Sequence, residues 1–306
     1  MNKQKNMTTI VVLSGKGGTG KTTVSNILID KLESKVFLDC DVDAPNLHLV
    51  QNMSTHPIEK GYVGLSKYKI DLNKCIGCGL CYSLCAYGAI QKIDNIYSID
   101  TYRCEGCSLC YVKCPAKAIE EVKQVDGHTY IYKGKSKLFG TAQTNIGSGN
   151  SGKLVTEMRN QIQSEHRYSK FKVIDGPPGI GCPVIASMTN TNYALIVTEP
   201  SQSGLSDLKR IIETATLLKT TPLVIINKAD LNIELSKSIQ KYLEENGIVH
   251  LGNLPYDKNV IAKNNLDLYD KESFFFKKMD EIVYALLNII KANKEKEKKN
   301  ESSSCN

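Results

Sequence analysis

Short apolar runs alternate along the chain with longer segments of helical character. The first run, Ile10–Leu13, is rich in β-branched residues and ends at a cluster of glycines, after which apolar residues recur at the spacing of an amphipathic helix. Further buried strands are predicted at Val36–Leu38, at Val173–Ile174, and within 194–200 and 222–230. Repeated alternation of strand and helix predicts an α/β fold with a doubly wound, mostly parallel sheet and right-handed crossovers.

The glycine cluster lies between the first predicted strand and the first predicted helix. Residues 15–22 have the sequence G-K-G-G-T-G-K-T, which ends in Lys21 and Thr22. Glycines allow backbone amides to surround phosphate oxygens, the lysine reaches the outer phosphates, and the threonine hydroxyl binds Mg²⁺. The sequence therefore predicts a P-loop made of Gly15, Gly17, Gly18, Thr19, Gly20, Lys21, Thr22 and Thr23.

Aspartates follow two other predicted strands. Asp39 and Asp41 come directly after Val36–Leu38, and Asp175 ends the strand that contains Val173–Ile174. Because open α/β sheets bind ligands at the carboxyl ends of their strands, these carboxylates are expected near the P-loop, with Asp175 placed to hold magnesium. An aspartate cluster after a strand also fits a helix cap, which leaves a second interpretation for the first pair.

Two cysteine-rich segments repeat one another at an offset of 29 residues. Each has the spacing C-x₂-C-x₂-C-x₃-C, in which three close thiolates suit one face of a four-iron cluster and the fourth reaches a second cluster. Zinc is the main alternative, but it prefers separated pairs of ligands. The cysteines are Cys75, Cys78, Cys81 and Cys85 in the first segment, and Cys104, Cys107, Cys110 and Cys114 in the second.

This double run resembles a two-cluster bacterial ferredoxin over about Lys67–Gln124. The resemblance implies two [4Fe–4S] clusters. Cluster one would bind Cys75, Cys78, Cys81 and Cys114, and cluster two would bind Cys104, Cys107, Cys110 and Cys85. One position departs from the ferredoxin pattern, because Ala86 follows Cys85 whereas Pro115 follows Cys114.

The remainder of the chain resembles the deviant Walker A ATPases, which include MinD, ParA, Mrp and the nitrogenase iron protein. The resemblance rests on a second lysine, Lys16, directly after the first glycine, and on the switch II sequence D-G-P-P-G at 175–179. It implies an ATP-dependent homodimer in which Lys16 reaches the partner's nucleotide. In this family pattern Lys16, Lys21 and Asp41 are catalytic, Asp41 orienting the attacking water, while Thr22, Asp39 and Asp175 hold Mg²⁺.

The base-binding residues are predicted from a third motif. Asn227 and Asp230 form an N-K-x-D pattern, which alone suggests guanine. The family context favours adenine instead, so the expected nucleotide is ATP.

The combined pattern resembles MinD-superfamily ATPases with an inserted ferredoxin domain. The resemblance implies a P-loop domain made of 1–66 and 125–292, an inserted α+β ferredoxin-like domain at 67–124, and a polar, disordered tail at 293–306 that contains Cys305.

A glycine-rich segment at 147–153 imitates a second P-loop, but Leu154 replaces the magnesium-binding residue and no clear strand precedes it. We expect a flexible loop before a helix there.

Two further cysteines lie in the ATPase part. Cys40 is expected to pack against the sheet. Cys182 stands seven residues after Asp175, where the nitrogenase iron protein carries a cluster ligand. It fits two interpretations, a small buried thiol or a thiol at the dimer interface that approaches its copy in the partner.

Composition narrows the functional classes. The chain of 306 residues is 41% hydrophobic without an apolar run long enough for a membrane span, and it begins with no secretory signal, so a soluble cytoplasmic protein is expected. Eleven cysteines in a reducing compartment favour metal or redox use over disulfides. The formal charge of +7 is partly in the Lys/Glu-rich tail, and no aromatic-interleaved basic patch suggests nucleic acid as a partner.

The last predicted helix, Ser273–Lys291, carries an apolar stripe, for which core packing is favoured over membrane targeting.

Three functions fit the sequence. The leading hypothesis is an ATPase whose nucleotide state gates electron transfer through two [4Fe–4S] clusters to a redox partner. The second is an ATP-dependent assembly or maturation factor for metalloclusters, acting on a client protein. The third is a MinD-like spatial switch in which the cysteine-rich segment only stabilises an interaction module.

Overall fold

The computed structural model describes residues 7–51, 53, 55–165, 167–262, 270 and 272–303. The strands are β1 (Thr8–Ser14), β2 (Val36–Asp39), β3 (Ile58–Val63), β4 (Lys67–Ile70), β5 (Ile90–Ile93), β6 (Ile96–Ile99), β7 (Ile119–Val122), β8 (Val125–Lys133), β9 (Leu138–Thr144), β10 (Phe171–Pro178), β11 (Tyr193–Thr198), β12 (Thr221–Ile226) and β13 (Val249–Asn253). The helices are α1 (Lys21–Lys31), α2 (Leu47–Val50), α3 (Leu80–Leu84), α4 (Leu109–Lys113), α5 (Ser151–Ser164), α6 (Cys182–Met188), α7 (Gln202–Leu217), α8 (Ile233–Glu245), α9 (Lys258–Ala262) and α10 (Phe274–Ser303).

One large sheet organises the described residues. Its strand order is β13-β12-β11-β1-β10-β2-β9-β8-β3. The seven strands from β13 to β9 run parallel, and β8 and β3 add an antiparallel edge. The order extends from β1 to both sides, which confirms the predicted doubly wound, mostly parallel sheet.

Helices cover both faces of this sheet, which is why its strands are apolar at consecutive positions. On one face, Val11 and Ile174 pack with residues of α5, α7 and α8. On the other face, Ile10 and Val173 pack with residues of α1 and α10. Burial on both faces holds the carboxyl ends of β1, β2 and β10 side by side, and these are the strands that carry the predicted nucleotide site.

The C-terminal helix packs as predicted but extends further. Its apolar stripe lies against the sheet, with Phe275, Met279, Ile282, Val283, Leu286 and Ile290 buried. The helix continues to Ser303, so the structure has a helix where the sequence predicts a disordered tail from residue 293. Alternating Lys and Glu residues favour helix through their propensity and their i,i+4 pairing. Cys305 lies outside the described residues.

No described helix combines the length and the apolar character that a membrane crossing requires.

Residues 67–124, which we call the cysteine-rich unit, contain β4 to β7 with α3 and α4. The unit lies between β3 and β8, which pair with each other at the edge of the large sheet. It has two small two-stranded sheets, β4-β7 and β5-β6, and a separate apolar cluster built on Tyr68, Ala89, Cys104 and Ile119. The chain thus leaves the main sheet and returns to it at adjacent strands.

The two halves of the unit are structural repeats. Every described element recurs 29 residues later, since β4, α3 and β5 correspond to β6, α4 and β7. Left-handed backbone conformations recur at the same offset, for example at Gly77 and Gly106. The ring contacts are also paired, Tyr68 with Tyr111 at 5.5 Å and Tyr82 with Tyr97 at 6.1 Å. Similar sequences have therefore formed two similar half-units that pack against each other.

Replacement of Phe139 by alanine tests the core of the large sheet. Phe139 is fully buried and stacks on Phe37 at 5.0 Å and on Tyr132 at 5.4 Å. Phe139→Ala should lower the free energy of unfolding by about 3–5 kcal/mol, because it leaves a cavity between packed rings. Phe274→Ala, at a site 64% exposed, should change it by less than about 0.5 kcal/mol. Guanidinium unfolding followed by circular dichroism measures both, and equal effects would contradict this description of the core.

Candidate functional site

The P-loop connects the end of β1 to the start of α1. Gly18 and Gly20 have φ angles of 78° and 88°, which favour glycine, and α1 begins at Lys21 and includes Thr22 and Thr23. Two side chains that follow β12 support the loop from outside. Asn227 Nδ2 donates to the Thr19 carbonyl at 2.7 Å, and Lys228 Nζ donates to the Gly18 carbonyl at 2.8 Å.

Asp175 is the centre of the site's hydrogen bonding. Its carboxylate is fully buried and accepts from Lys21 Nζ at 2.7 Å, Thr22 Oγ1 at 2.8 Å and Ser25 Oγ at 2.8 Å. Burial by itself lowers the pKa of Lys21, but the charge and hydrogen bond of Asp175 outweigh it and raise that pKa. Lys21 is therefore held as a cation against the carboxylate.

Asp39 and Asp41 complete an acidic group around Lys21. Asp39 is buried and accepts the backbone N–H groups of Asn46 and Leu47 at 2.9 and 2.8 Å. Burial and the nearby charge of Asp175 raise the pKa of Asp39 to about 7. Burial also raises the pKa of Asp41. A divalent cation would favour the ionised forms of these carboxylates, so the residues present fit Mg²⁺.

The loop also fits a phosphate group. The Thr19 hydroxyl is buried without a hydrogen-bond partner among the described residues. A Cβ built on Gly17 or Gly18 would meet nothing within 4 Å, so the backbone there is open to a ligand. An unpaired hydroxyl beside an open glycine backbone is what an oxyanion at this position would satisfy.

Lys16 makes contacts within its own chain. Lys16 Nζ pairs with Glu199 Oε1 at 2.7 Å and donates to Ser201 Oγ at 3.2 Å and Ser203 Oγ at 3.3 Å. Glu199 also accepts from Lys228 Nζ at 3.2 Å. Burial raises the pKa of Glu199, but the hydrogen bonds from the two lysines outweigh it and lower that pKa. Lys16 is thus held by an ionised carboxylate beside the P-loop.

The other predicted residues occupy two environments. Asp230 is exposed, and its Oδ1 accepts the backbone N–H of Tyr256 at 2.7 Å. Cys40 is fully buried, as predicted, and burial raises the pKa of its thiol to about 12. Cys182 is exposed at the first turn of α6, so its interpretation as a small buried thiol is wrong. A thiol at the start of this short helix points away from the apolar face that packs on the sheet.

The eight cysteines of the cysteine-rich unit line two cavities. The first cavity is lined by Cys75, Cys78, Cys81 and Cys114, together with apolar residues such as Ile70 and Ile119. The second is lined by Cys85, Cys104, Cys107 and Cys110, together with residues such as Ala89 and Ile99. In each cavity the fourth cysteine comes from the other half of the repeat, so the grouping is the one that the ferredoxin resemblance implies.

Across the described part of the chain, no three His, Cys, Asp or Glu side chains are arranged to hold a single metal ion. The assignment of the two cysteine groups to iron–sulfur clusters stays a prediction.

The glycine-rich loop at 147–153 contacts the cysteine-rich unit. A Cβ on Gly147 would lie 2.9 Å from the Tyr102 ring, and a Cβ on Gly149 would lie 3.6 Å from Glu105 Oε2. Further along, a Cβ on Gly152 would lie 3.0 Å from the backbone of Cys182. A strand, β9, does precede this loop, contrary to the prediction, while α5 follows it as predicted. Leu154 is buried in the core, and its hydrocarbon side chain has no ligand atom for magnesium.

Several residues of the site carry no motif. Ser25 binds Asp175 from the second turn of α1, and Glu199 holds Lys16. Glu199 could have been found from its place directly after a buried strand, where ligand-binding residues of parallel sheets collect. Ser25 has no comparable signal, because a serine in a helix is ordinarily uninformative.

Known proteins resemble this chain over most of its length. Residues 10–268 match the family described as the CobQ/CobB/MinD/ParA nucleotide binding domain. An uncharacterized protein of Methanocaldococcus jannaschii is 37% identical over 230 residues, which are 73% of this chain and 79% of that protein. The cell division ATPase MinD of Pyrococcus furiosus superposes with a TM-score of 0.53 at 17% identity, over 92% of this chain and 99% of that one. MinD of Pyrococcus horikoshii, complexed with Mg-ADP, superposes with a TM-score of 0.51 at 17% identity, over 90% and 94%.

These similarities confirm the predicted P-loop fold of the MinD/ParA type. They give no support to an inserted ferredoxin domain or to iron–sulfur clusters. Among the three functions that fit the sequence, they favour the MinD-like switch over the electron-transfer protein.

Two glycine replacements test the P-loop conformation in the nucleotide-free protein. Gly20→Ala should lower the free energy of unfolding by about 1–3 kcal/mol, because the left-handed backbone disfavours a side chain and the methyl group would collide with Asn227 Nδ2. Gly17→Ala should change it by less than about 0.5 kcal/mol, because its methyl group would meet nothing. Thermal unfolding without nucleotide measures both, and an unchanged midpoint for Gly20→Ala would show that the loop relaxes freely.

Proposed function

The chain belongs to the CobQ/CobB/MinD/ParA nucleotide-binding family, and we propose that it is an ATP-hydrolysing switch of the MinD type whose nucleotide state controls electron transfer by its cysteine-rich unit. The nucleotide part of this proposal is supported by the P-loop and its acidic group. The redox part depends on one observation, the two cavities that are each lined by four cysteines.

In the nucleotide site, the backbone of Gly15–Thr23 would hold the phosphates and Lys21 would neutralise the outer ones. Thr22, Asp39 and Asp175 would hold Mg²⁺, and Asp41 would orient the attacking water. Lys21, Thr22 and Ser25 already donate to both carboxylate oxygens of Asp175, so a cation bound directly to this carboxylate is expected to weaken at least one of these hydrogen bonds. Nucleotide binding is therefore expected to move the segments that follow β2 and β10.

The base would lie beside Asn227 and Asp230, which follow β12. Since Asn227 already supports the P-loop backbone at Thr19, base binding and phosphate binding share one side chain.

Dimerisation on ATP is the second part of the proposal. Lys16 is held by Glu199, Ser201 and Ser203 of its own chain and is partly exposed. To reach a partner's nucleotide it has to leave Glu199, which costs an ion pair and gains a contact with phosphate. This exchange supports a switch in which the dimer forms only when nucleotide is present. The exposed Cys182 would then lie near the interface.

The donor sets of the cysteine-rich unit fit two [4Fe–4S] clusters. Cysteine thiolates are the usual ligands of such clusters, and each cavity offers four of them among apolar side chains. Cluster one would be held by Cys75, Cys78, Cys81 and Cys114, and cluster two by Cys104, Cys107, Cys110 and Cys85. When bound, such clusters supply one-electron transfer. The chain's own part is to exclude water with apolar walls and to hold the thiolates in place.

A continuous series of contacts supports control of this unit by the nucleotide. The switch II segment runs from Asp175 to Cys182, whose backbone touches Gly152 at the start of α5. The loop before α5 lies next to Tyr102 and Glu105, which are two residues and one residue away from Cys104 in the sequence. A nucleotide-dependent shift of switch II would therefore reach the second cysteine cavity through α5 and its loop.

The second candidate function is a MinD-like spatial switch in which the cysteine-rich unit serves only as an interaction module. The similarity to MinD and to a putative plasmid partition protein supports it. The two candidates share the ATPase and differ in whether the unit carries electrons.

Cysteine replacements test the two ligand groups. Cys114→Ser should affect the same cluster as Cys78→Ser, although it lies in the other half of the repeat, because both line the first cavity. Cys85→Ser and Cys107→Ser should likewise affect one and the same cluster, because both residues line the second cavity. Each replacement should reduce the iron content of the anaerobically purified protein from about eight atoms per chain to about four. Cys182→Ser, the matched control, should keep about eight. Iron analysis together with electron paramagnetic resonance measures the cluster content of each variant. Wild-type protein without iron would contradict the redox function and favour the spatial switch.

Coupling between the nucleotide site and the clusters is tested by measuring the reduction potential of each cluster with ATP, with ADP and without nucleotide. The potential of the second cluster should shift with nucleotide, because its cavity contacts the loop before α5. Lys21→Gln should abolish the shift, because it removes the charge that binds the outer phosphates while keeping a donor for Asp175. Tyr102→Ala should reduce it, whereas Tyr284→Ala, at a site 70% exposed on α10, should not. Reduction potentials that do not change with nucleotide would contradict the proposed control of electron transfer and favour the spatial switch.

A further inference from the structure

A cavity of about 400 Å³ opens at the edge of the large sheet that lies opposite the nucleotide site. Its floor is formed by residues near the amino ends of three strands, Thr9 of β1, Val36 of β2 and Lys172 of β10. Its walls come from α5 and from the turn between α6 and β11. The nucleotide site uses the carboxyl ends of these same strands, so the two sites are separated by the length of the sheet.

The walls are positively charged. Arg159, Arg167 and Lys172 line the cavity, and the described lining residues include no Asp or Glu. The remaining polar residues are amides and hydroxyls, among them Thr156, Asn160 and Asn192. A volume of this size lies within the range of small-molecule sites in proteins.

Lys172 is the unusual member of this group. It belongs to a central strand and is half-buried, and its ammonium has no hydrogen-bond or ion-pair partner within the part of the chain that the structure describes. Burial, and then the charge of Arg159, lower its pKa to about 8. A half-buried cation without a counter-charge is costly, and a bound anion would remove that cost.

The arginines are held in position by the backbone. The Arg159 guanidinium donates to the carbonyls of Ala186 and Thr189, at the end of α6. Arg167 Nη1 donates to the Lys135 carbonyl at 3.0 Å. Neither arginine is neutralised by these neutral acceptors, so their charges remain available. Guanidinium groups fixed in this way are suited to carboxylate and phosphate oxygens.

We propose that this cavity binds a small dianion that carries phosphate or carboxylate groups, with Lys172 and Arg167 contacting it directly and Arg159 contributing a fixed charge. The described lining of the cavity shares no residue with the nucleotide site or with the cysteine-rich unit. It needs no conformational change, because the cavity is already present.

The test is isothermal titration calorimetry of the full chain with inorganic phosphate and, separately, with succinate. Saturating Mg-ADP in every sample occupies the P-loop, which would otherwise bind phosphate. Lys172→Met should weaken binding of the accepted anion at least about tenfold, because it removes a charge-assisted hydrogen bond. Arg167→Gln should weaken it in the same direction. Lys170→Met, which removes an equal charge at an exposed position two residues before Lys172, should leave the affinity unchanged.

Preference for one probe identifies the anion class, phosphate or dicarboxylate. Binding that is equal in wild type and Lys172→Met would place the anion elsewhere and overturn the proposal, and so would the absence of heat with both probes at millimolar concentration. Lys172→Met should also melt at or above the wild-type temperature without anion, because it removes an unpaired cation. A marked loss of stability would show that Lys172 already has a structural partner and would likewise overturn the proposal.

Discussion

The nucleotide site depends on the hydrogen bonds and the ion pair that the buried carboxylate of Asp175 makes. Asp175 accepts three hydrogen bonds from α1, and its backbone carbonyl accepts the N–H of Cys40 at 2.7 Å. Strand β10 is thereby fixed to the P-loop helix on one side and to the end of β2 on the other. A charge in the core is tolerated only when it is paired, so Lys21 and Asp175 stabilise each other. A cation bound at this carboxylate would weaken its pair with Lys21, and this would link ligand binding to the segments that follow β2 and β10.

The two parts of the chain are stabilised in different ways. The large sheet is covered on both faces by apolar side chains and needs no ligand to account for its core. The cysteine-rich unit has a small cluster of buried residues and many exposed apolar ones, such as Ile76 at 69% and Val112 at 67%. Units of this size commonly depend on metals or disulfides because their apolar cores are too small. The paired cavities are therefore where further stabilisation of the unit is expected to arise.

Helix α5 connects features that lie far apart in the sequence. Its first turn touches Cys182 at the end of switch II, the loop before it touches Tyr102, and its last turns line the cationic cavity. Its inner face is buried at Leu154, Val155 and Met158, so the helix is expected to move as a rigid body. A ligand in the cationic cavity would therefore lie against the same helix that touches the end of switch II.

Local patterns in the sequence determined the P-loop, the order of strand and helix, and the two repeated halves of the cysteine-rich unit, because a glycine loop and a repeat of 29 residues have the same local conformation wherever they occur. The grouping of the cysteines was implied only by the resemblance to ferredoxins, because each group joins the two halves. Periodicity likewise predicted the buried stripe of α10 but not its end, since a polar helix beyond the core has no apolar period. Only the tertiary structure decided that Lys16 pairs with Glu199, that Ser25 binds Asp175, that Cys182 is exposed and that Lys172 faces a cavity. Each of these features depends on how distant segments of the chain pack together. The sequence around one residue of such a pair does not indicate which distant residue it will contact.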